Sequence, residues 1–217
     1  MKKIIIISIL SILIFFFLSK TIFSRLFIIS FSKWLERDLL IKKIDINYSN
    51  QEIILNFVEI LNDNEFFYKN VFEADKIKIK YNFKSLFTNL VQIDYVILKN
   101  AKLYLEFHDK KDNIVDDNVG LAKKNNSNYK PKVYPKKKKD KNFLVIETEL
   151  KNLKAFIKTV NNKKKMEVDL SDMIFYKVSN KPEFQHFKEV FKIILNDLFF
   201  KIPDQDLKNL IKKTYNF

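Results

Sequence analysis

Charged and apolar residues are distributed unevenly at the start of the chain. Two lysines are followed by an uncharged run from Ile4 to Ser19 made almost entirely of Ile, Leu and Phe, and apolar residues resume after Lys20. A helix needs about 20 mostly apolar residues to cross the hydrocarbon core of a bilayer. Ile4–Phe23 reaches that length because the long side chain of Lys20 can place its ammonium group at the membrane interface. The pattern predicts a transmembrane anchor at residues 1–24.

A cleaved signal peptide also begins with basic residues and an apolar stretch, so it is the main alternative to an anchor. Cleavage requires small residues in an A-x-A-like arrangement, and Phe17–Thr21 offers no such arrangement. The basic flank formed by Lys2 and Lys3 is short, and short basic flanks stay in the cytoplasm. We therefore expect a single-pass inner-membrane protein with a cytoplasmic N-terminus and a periplasmic body.

The period of the pattern changes after the anchor. Apolar and polar residues mix at helical spacing through 25–40, which predicts an amphipathic helix that continues from the anchor. From residue 41 the period becomes two, and it is clearest in Lys76–Phe83, where apolar residues alternate mostly with lysine. Such alternation is typical of half-buried antiparallel strands. It predicts a first β region at 41–108.

The alternation slips once within this region. Ile93 and Val96 are both apolar but lie three positions apart. A β-bulge takes up one extra residue in a strand and so keeps both side chains on one face. The slip predicts a bulge near Asp94 and Tyr95.

The segment 109–141 is polar and ends in a basic tract. It carries too few apolar residues to offset the entropy lost on ordering, so it is predicted to be a flexible linker or loop. Lys136, Lys137, Lys138 and Lys139 have two interpretations. They only solvate the loop, or they contact anionic lipid headgroups, a contact worth about 1 kcal/mol per lysine near a membrane surface.

Strand-like alternation returns at 142–180, which predicts a second β region. In 181–217 apolar residues recur at helical spacing on both sides of Pro203, which predicts two amphipathic C-terminal helices. The predicted fold class is α+β, with an N-terminal transmembrane helix, an antiparallel β-sheet and two C-terminal helices.

Composition adds one question about partners. The chain has 217 residues, 47% hydrophobic, with a formal net charge of +14, and the body after the anchor is long enough for one domain with a core. Positive charge suggests nucleic acid. However, Arg occurs only at Arg25 and Arg37, although Arg is the preferred bidentate ligand of phosphate and guanine. Abundant Lys, Asn, Ile and Phe with little Gly also follow from AT-rich coding, so no nucleic-acid partner is expected.

Residue counts exclude several kinds of catalytic site. Gly120 is the only glycine, whereas nucleotide-binding loops and nucleophile elbows need several. The absence of cysteine removes thiol catalysis and Cys-ligated zinc. His108 and His186 lie in different segments without a metal-ligand spacing. We predict no catalytic residue, metal ligand or cofactor site, and we do not expect an enzyme.

The order of these features resembles the N-terminal region of AsmA-like proteins. That family combines an "a-d-x-I-x-V" strand, an "s-L-L" turn, an "I-x-x-V-x-L-x-x-P" strand and a closing "L-x-L-E" after its anchor helix. The tail is similar to that of short, single-unit members, in which a C-terminal helix follows a segment like Leu170–Phe175. The corresponding segments here are Val71–Ile79, Phe83–Phe87, Ile93–Ala101 and Leu103–Glu106.

The resemblance implies an inner-membrane-anchored periplasmic protein with a curled, groove-like antiparallel sheet, whose apolar concave face holds acyl chains in envelope lipid homeostasis. Membrane lipids are then the expected partners, and other envelope proteins are further candidates. A structural or adaptor protein with a closed core fits the same pattern, because an apolar sheet face has the same sequence pattern whether it packs on a core or binds a ligand. The residues predicted to line the groove are Ile77, Ile79, Tyr81, Phe83, Leu103, Leu105 and Phe107.

Overall fold

The structure is a computed structural model that describes residues 21–22, 24–33, 35, 37–62, 66–110, 114–117, 142–159 and 165–215. The predicted anchor lies outside these residues except for Thr21, Ile22 and Ser24, which are helical. In the part of the chain that is described, no helix is both long and apolar enough to cross a membrane.

The described residues form one large β-sheet with helices beside it, so the α+β class is confirmed. The described residues of 21–35 are helical, and a 3-10 helix, η1, covers Phe83–Phe87. Two C-terminal helices follow the last strands: α1 is Phe187–Lys201 and α2 is Gln205–Tyr215. The strands are β1 Leu39–Asn47, β2 Glu52–Leu61, β3 Asn70–Tyr81, β4 Leu90–Lys110, β5 Ile114–Asp117, β6 Asn142–Lys151, β7 Lys154–Thr159, β8 Lys165–Asp169, β9 Met173–Ser179 and β10 Gln185–His186.

The sheet is mixed, which corrects the prediction of an antiparallel sheet. Its main order is β1-β2-β3-β4-β6-β9-β10, and β4 also pairs with β5 and β7, while β8 pairs with β7. The pairs β4–β6, β4–β7 and β9–β10 are parallel. Alternation within a strand does not reveal the direction of its neighbour. Since Asn142 lies opposite Leu90, β6 starts at the same end of the sheet as β4 and runs beside it in the same direction.

The predicted linker at 109–141 also contains a strand. β4 continues to Lys110, and β5 pairs antiparallel with its last residues, from Phe107 to Lys110. The pairing of β4 with β3 ends at Leu103, so the edge of β4 beyond that residue can pair with β5. The remainder of the predicted linker, with Lys136–Lys139, lies outside the described residues.

Two buried clusters hold the sheet together. The larger one joins β3, β4 and β6–β9 with both C-terminal helices, and it includes Leu105, Phe107, Leu195 and Ile211. The smaller one lies under the N-terminal helical residues, and Phe27 and Ile28 pack against it. Its buried members are Leu39, Ile44, Leu55 and Val58.

The strands are kinked along a line that crosses the sheet, which we call the asparagine seam. It runs through Asp75, Asn100, Asn152 and Asp172. Asn100 Nδ2 donates to Asp75 Oδ2 at 2.9 Å, Asn152 Nδ2 donates to Asn100 Oδ1 at 3.0 Å, and the Asn152 backbone N–H donates to Asp172 Oδ1 at 2.8 Å. The φ angles of Asn100 and Asn152 are 50° and 52°, in the left-handed region that Asn tolerates better than most residues.

The seam changes which residues of a strand face the core. In β4, Leu98 packs against the larger cluster and Ala101 belongs to it, although the two residues are three positions apart. Strict alternation would place residues three apart on opposite faces. The left-handed residue Asn100 between them restores a common face. One apolar side of the sheet is thereby continuous across the kink.

The predicted bulge in β4 is confirmed. Lys80 lies opposite Tyr95 and Tyr81 lies opposite Ile93, so Asp94 is the extra residue in β4. Ile93 and Val96 both pack against the larger cluster, which is the arrangement that the slip in the pattern predicted.

Candidate apolar ligand site

Three cross-strand pairs form an apolar strip on β3 and β4, which we call the trough. Ile77 lies opposite Leu98, Ile79 opposite Val96 and Tyr81 opposite Ile93. Directly opposed residues of an antiparallel pair point to the same face. All six side chains are only half-buried. From Ile77 to Tyr81 the strip is about 14 Å long at the usual rise of a strand.

The trough lies between the two buried clusters. Ile79 packs against the smaller cluster, whereas Val96 and Leu98 pack against the larger one, and Ile77 contacts both. On one side Leu55 is opposite Ile77, and on the other side Leu150 is opposite Leu98. Both of these flanking leucines are buried. The apolar face is therefore flanked by buried leucines at Ile77 and Leu98, whereas Ile53 and Thr148, the neighbours of Ile79 and Val96, are half-buried.

The structure separates the seven predicted groove residues into three groups. Ile77, Ile79 and Tyr81 lie in the trough. Phe83 lies in η1, beyond the end of β3 at Tyr81, and is exposed. The other three belong to the larger buried cluster: Leu103 at 8% exposure, Leu105 at 0% and Phe107 at 1%.

These last three residues share their buried cluster with residues of the C-terminal helices. Leu195 and Leu198 of α1 and Ile211 of α2 belong to the same cluster and are themselves buried. We call the part of β4 that holds Leu103, Leu105 and Phe107 the closed end. Ile93, Val96 and Leu98, which complete the trough, were not among the predicted groove residues. Their apolar alternation was visible, but their pairing with β3 depends on register.

The opposite side of the trough strands is charged. Lys78 Nζ lies 2.9 Å from Glu52 Oε1 and 5.3 Å from the ring centre of Tyr95, whose hydroxyl donates to the same carboxylate. The hydrogen bond from Tyr95 and then that from Lys78 hold the pKa of Glu52 below its usual value. The same cluster raises the pKa of Lys78. This network stabilises the outer face. The trough residues lie on the opposite, inner face.

One buried carboxylate lies behind the closed end. Glu106 is 1% exposed, and its Oε2 accepts from the backbone N–H groups of Phe67 and Tyr68 at 2.8 and 3.2 Å. Its Oε1 accepts from Phe67 N–H at 3.0 Å. Backbone donors thus occupy both oxygens. We assign Glu106 to the attachment of the chain before β3 and not to chemistry.

Histidines and acidic residues do not assemble elsewhere. His186 lies in β10, and His108 lies in β4 opposite Asp116 of β5. Within the described ranges, no three His, Asp or Glu residues come together in a way that would hold a metal ion.

Comparison with known proteins gives no further guide to the site. No protein-family model, no curated protein and no solved structure matches this chain.

Proposed function

We propose that this chain is a membrane-anchored protein of the cell envelope that binds a lipid acyl chain in the trough, in support of lipid homeostasis. The observation that carries the proposal is the trough itself. Three facing apolar pairs stay half-buried, although buried leucines of β2 and β6 flank the pair Ile77 and Leu98 on the same sheet face. Filling such a strip with an apolar ligand removes water from it, at about 25 cal/mol per Å².

The membrane location follows from the sequence. Ile4–Phe23 is long enough to span, and the preceding lysines orient the body into the periplasm. The resemblance to short AsmA-like proteins supports the same location and ligand class. An alkaline phosphatase fusion after Phe217 is expected to be active, whereas activity of a cytoplasmic reporter there would contradict the periplasmic location.

A structural or adaptor role is the second candidate, and the closed end favours it. Leu105 and Phe107 are buried in a cluster that also contains residues of the chain's own C-terminal helices. A protein that closes its core in this way has no need of a ligand at that end. The two candidates differ in what the trough holds.

The decisive experiment compares two substitutions on opposite faces of the same strand pair. Ile79→Asp places a carboxylate in the trough, whereas Ile97→Asp places one on the outer face, where Lys78 lies opposite. Both positions are half-buried, so they are matched in exposure. Lipid extracted from the purified full-length protein is identified by mass spectrometry, and thermal unfolding is measured in parallel.

We expect wild type and Ile97→Asp to carry lipid and Ile79→Asp to lose most of it, since an unpaired carboxylate repels an apolar ligand. The unfolding temperature should fall by similar amounts in both variants. Wild-type protein without lipid, together with collapse of Ile79→Asp alone, would support the adaptor role and contradict the trough as a binding site.

A further inference from the structure

One end of the sheet carries exposed apolar side chains, which we call the apolar tip. Phe83, Leu86 and Phe87 lie in η1, and Tyr48 lies in the turn between β1 and β2. All four are exposed, and Phe87 is 77% exposed. The rings of Phe83 and Phe87 meet edge to face with their centres 5.4 Å apart. Contiguous exposed apolar residues of this kind mark an interaction surface.

Polar side chains hold the tip in place from the sheet side. Gln51 Oε1 accepts from Phe83 N–H at 2.8 Å, which ties η1 to the β1–β2 turn. Asn82 Oδ1 accepts from Ser85 N–H at 3.3 Å, and Ser85 Oγ accepts from Gln92 N–H at 2.8 Å. The turn therefore directs its hydrogen-bonding groups inward and its apolar groups outward. Most surface turns show the reverse arrangement, because loops at a surface usually face water.

Positive charge accompanies these apolar groups. Lys84 lies within η1 and is exposed. β6 begins at Asn142, opposite Leu90, and in the sequence Asn142 directly follows the basic tract that ends at Lys141. Aromatic and apolar side chains next to lysines match a bilayer surface, where rings enter the headgroup region and ammonium groups meet anionic lipid.

We propose that the apolar tip docks on the surface of an anionic lipid bilayer, with Phe87 and Phe83 inserted and Lys84 at the headgroups. The proposal rests on the proposed function for its membrane location, but it does not require a ligand in the trough. It deepens that function in one respect. Tyr81 ends the trough two residues before Phe83, so docking brings that end of the trough to the lipid.

Site-specific probes can test the docking because the chain contains no cysteine. Phe87→Cys and Phe200→Cys each introduce one thiol for an environment-sensitive fluorophore. The two positions are matched at 77% and 78% exposure, and Phe200 lies near the end of α1, away from η1. The labelled full-length proteins are reconstituted into vesicles of phosphatidylcholine with or without phosphatidylglycerol, and doxyl-labelled lipids serve as quenchers.

We expect quenching of the Phe87 probe to exceed that of the Phe200 probe by at least threefold in anionic vesicles, with a blue-shifted emission. The difference should shrink in neutral vesicles, and Lys84→Ser should weaken it. Equal quenching of the two probes would overturn the proposal. A Phe87 probe that is shielded only at high protein concentration, without quenching by lipid, would also overturn it and would indicate contact with a second copy.

Failure of the docking can be told apart from failure of the proposed function. The labelled Phe87→Cys protein keeps every trough residue, so its co-purified lipid can be measured on the same sample. Retained lipid together with a Phe87 probe that reports water would contradict the tip alone. Loss of co-purified lipid in Ile79→Asp with normal quenching at Phe87 would support the tip and the trough as separate features.

Discussion

Leu105 and Val96 belong to the same strand and pack against the same side of the sheet, yet their surroundings differ completely. Leu105 is buried at the closed end in a cluster that includes residues of α1 and α2, whereas Val96 stays half-buried in the trough. The strand supplies apolar residues at both places. What differs is whether another element of the chain lies over them. An apolar stripe thus forms part of the core where other elements bury it and a candidate binding surface where they do not. The sequence of the stripe does not show which of the two applies.

The largest expected effect is at the closed end. Leu105→Ala leaves a cavity among fully buried residues, and we expect it to lower the free energy of unfolding by about 3 kcal/mol. The same change in the trough, Leu98→Ala, should cost about half as much because its surroundings are already partly open. Urea unfolding followed by circular dichroism measures both. Equal losses at the two sites would mean that the trough is as closed as the rest.

The sequence predicts the strands and helices of both regions, but it does not predict which apolar residues the folded chain buries. Alternation located the strands of both β regions, and helical spacing located α1 and α2, because each depends on near neighbours along the chain. The bulge at Asp94 was also predictable, since an extra residue disturbs the alternation directly. These features need no knowledge of which strand lies beside which.

The predictions that were wrong or missing concern contacts between residues that are far apart in the sequence. The parallel pairing of β4 with β6 follows from the path between them, which passes through a segment that looked like a plain linker. The difference in burial between the trough and the closed end depends on where α1 and α2 pack. An amphipathic helix signals that it will cover something, but not what it covers.

The asparagine seam also has a signal in the sequence. Leu98 and Ala101 repeat the three-residue spacing that revealed the bulge, and Asn100 lies between them. Leu150 and Leu153 show the same spacing around Asn152. An Asn at such a slip is a candidate for the left-handed conformation. Its side chain then also links the strands, as the hydrogen bond between Asn152 and Asn100 does.

Breaking the seam is the second prediction, because the seam joins the trough to the closed end. Asn100→Val removes the hydrogen bonds to Asp75 and Asn152 and forces a β-branched residue to a φ near 50°. We expect a loss of about 2 kcal/mol, whereas Asn100→Gly, which tolerates that φ, should lose about 1 kcal/mol. Hydrogen exchange should show faster opening on both sides of the seam. Faster exchange on one side only would show that the two regions are stabilised independently.

A pH experiment tests the charged face behind the trough. Because the pKa of Glu52 lies below its usual value of 4.5 in the folded protein, the carboxylate stabilises the fold above that value. This stabilisation is lost as the pH falls through the lower folded-state pKa. Glu52→Gln should cost about 1 kcal/mol at pH 7 and should reduce the loss of stability between neutral and acidic pH.

The control for this change lies behind the closed end. Glu167 pairs with Lys154 at 2.7 Å on an exposed surface, and Glu167→Gln should change the stability by less than about 0.5 kcal/mol. Acid unfolding curves of both variants make the comparison. An unchanged acid profile for Glu52→Gln would show that the network with Tyr95 and Lys78 does not stabilise the trough strands.

The smallest effect on stability is expected from the basic tract that precedes β6 in the sequence. Replacing Lys136, Lys137, Lys138 and Lys139 by Ser alters no residue of the trough or of the closed end, so the free energy of unfolding should stay within about 0.5 kcal/mol of wild type. Two results on anionic vesicles then separate the two interpretations of the tract. If the lysines contact headgroups, quenching of the Phe87 probe should weaken and lose much of its salt dependence, since screening acts on exposed charges. If they only solvate the loop, quenching and its salt dependence should match wild type, and Lys84 would be the cation that matters at this end of the sheet.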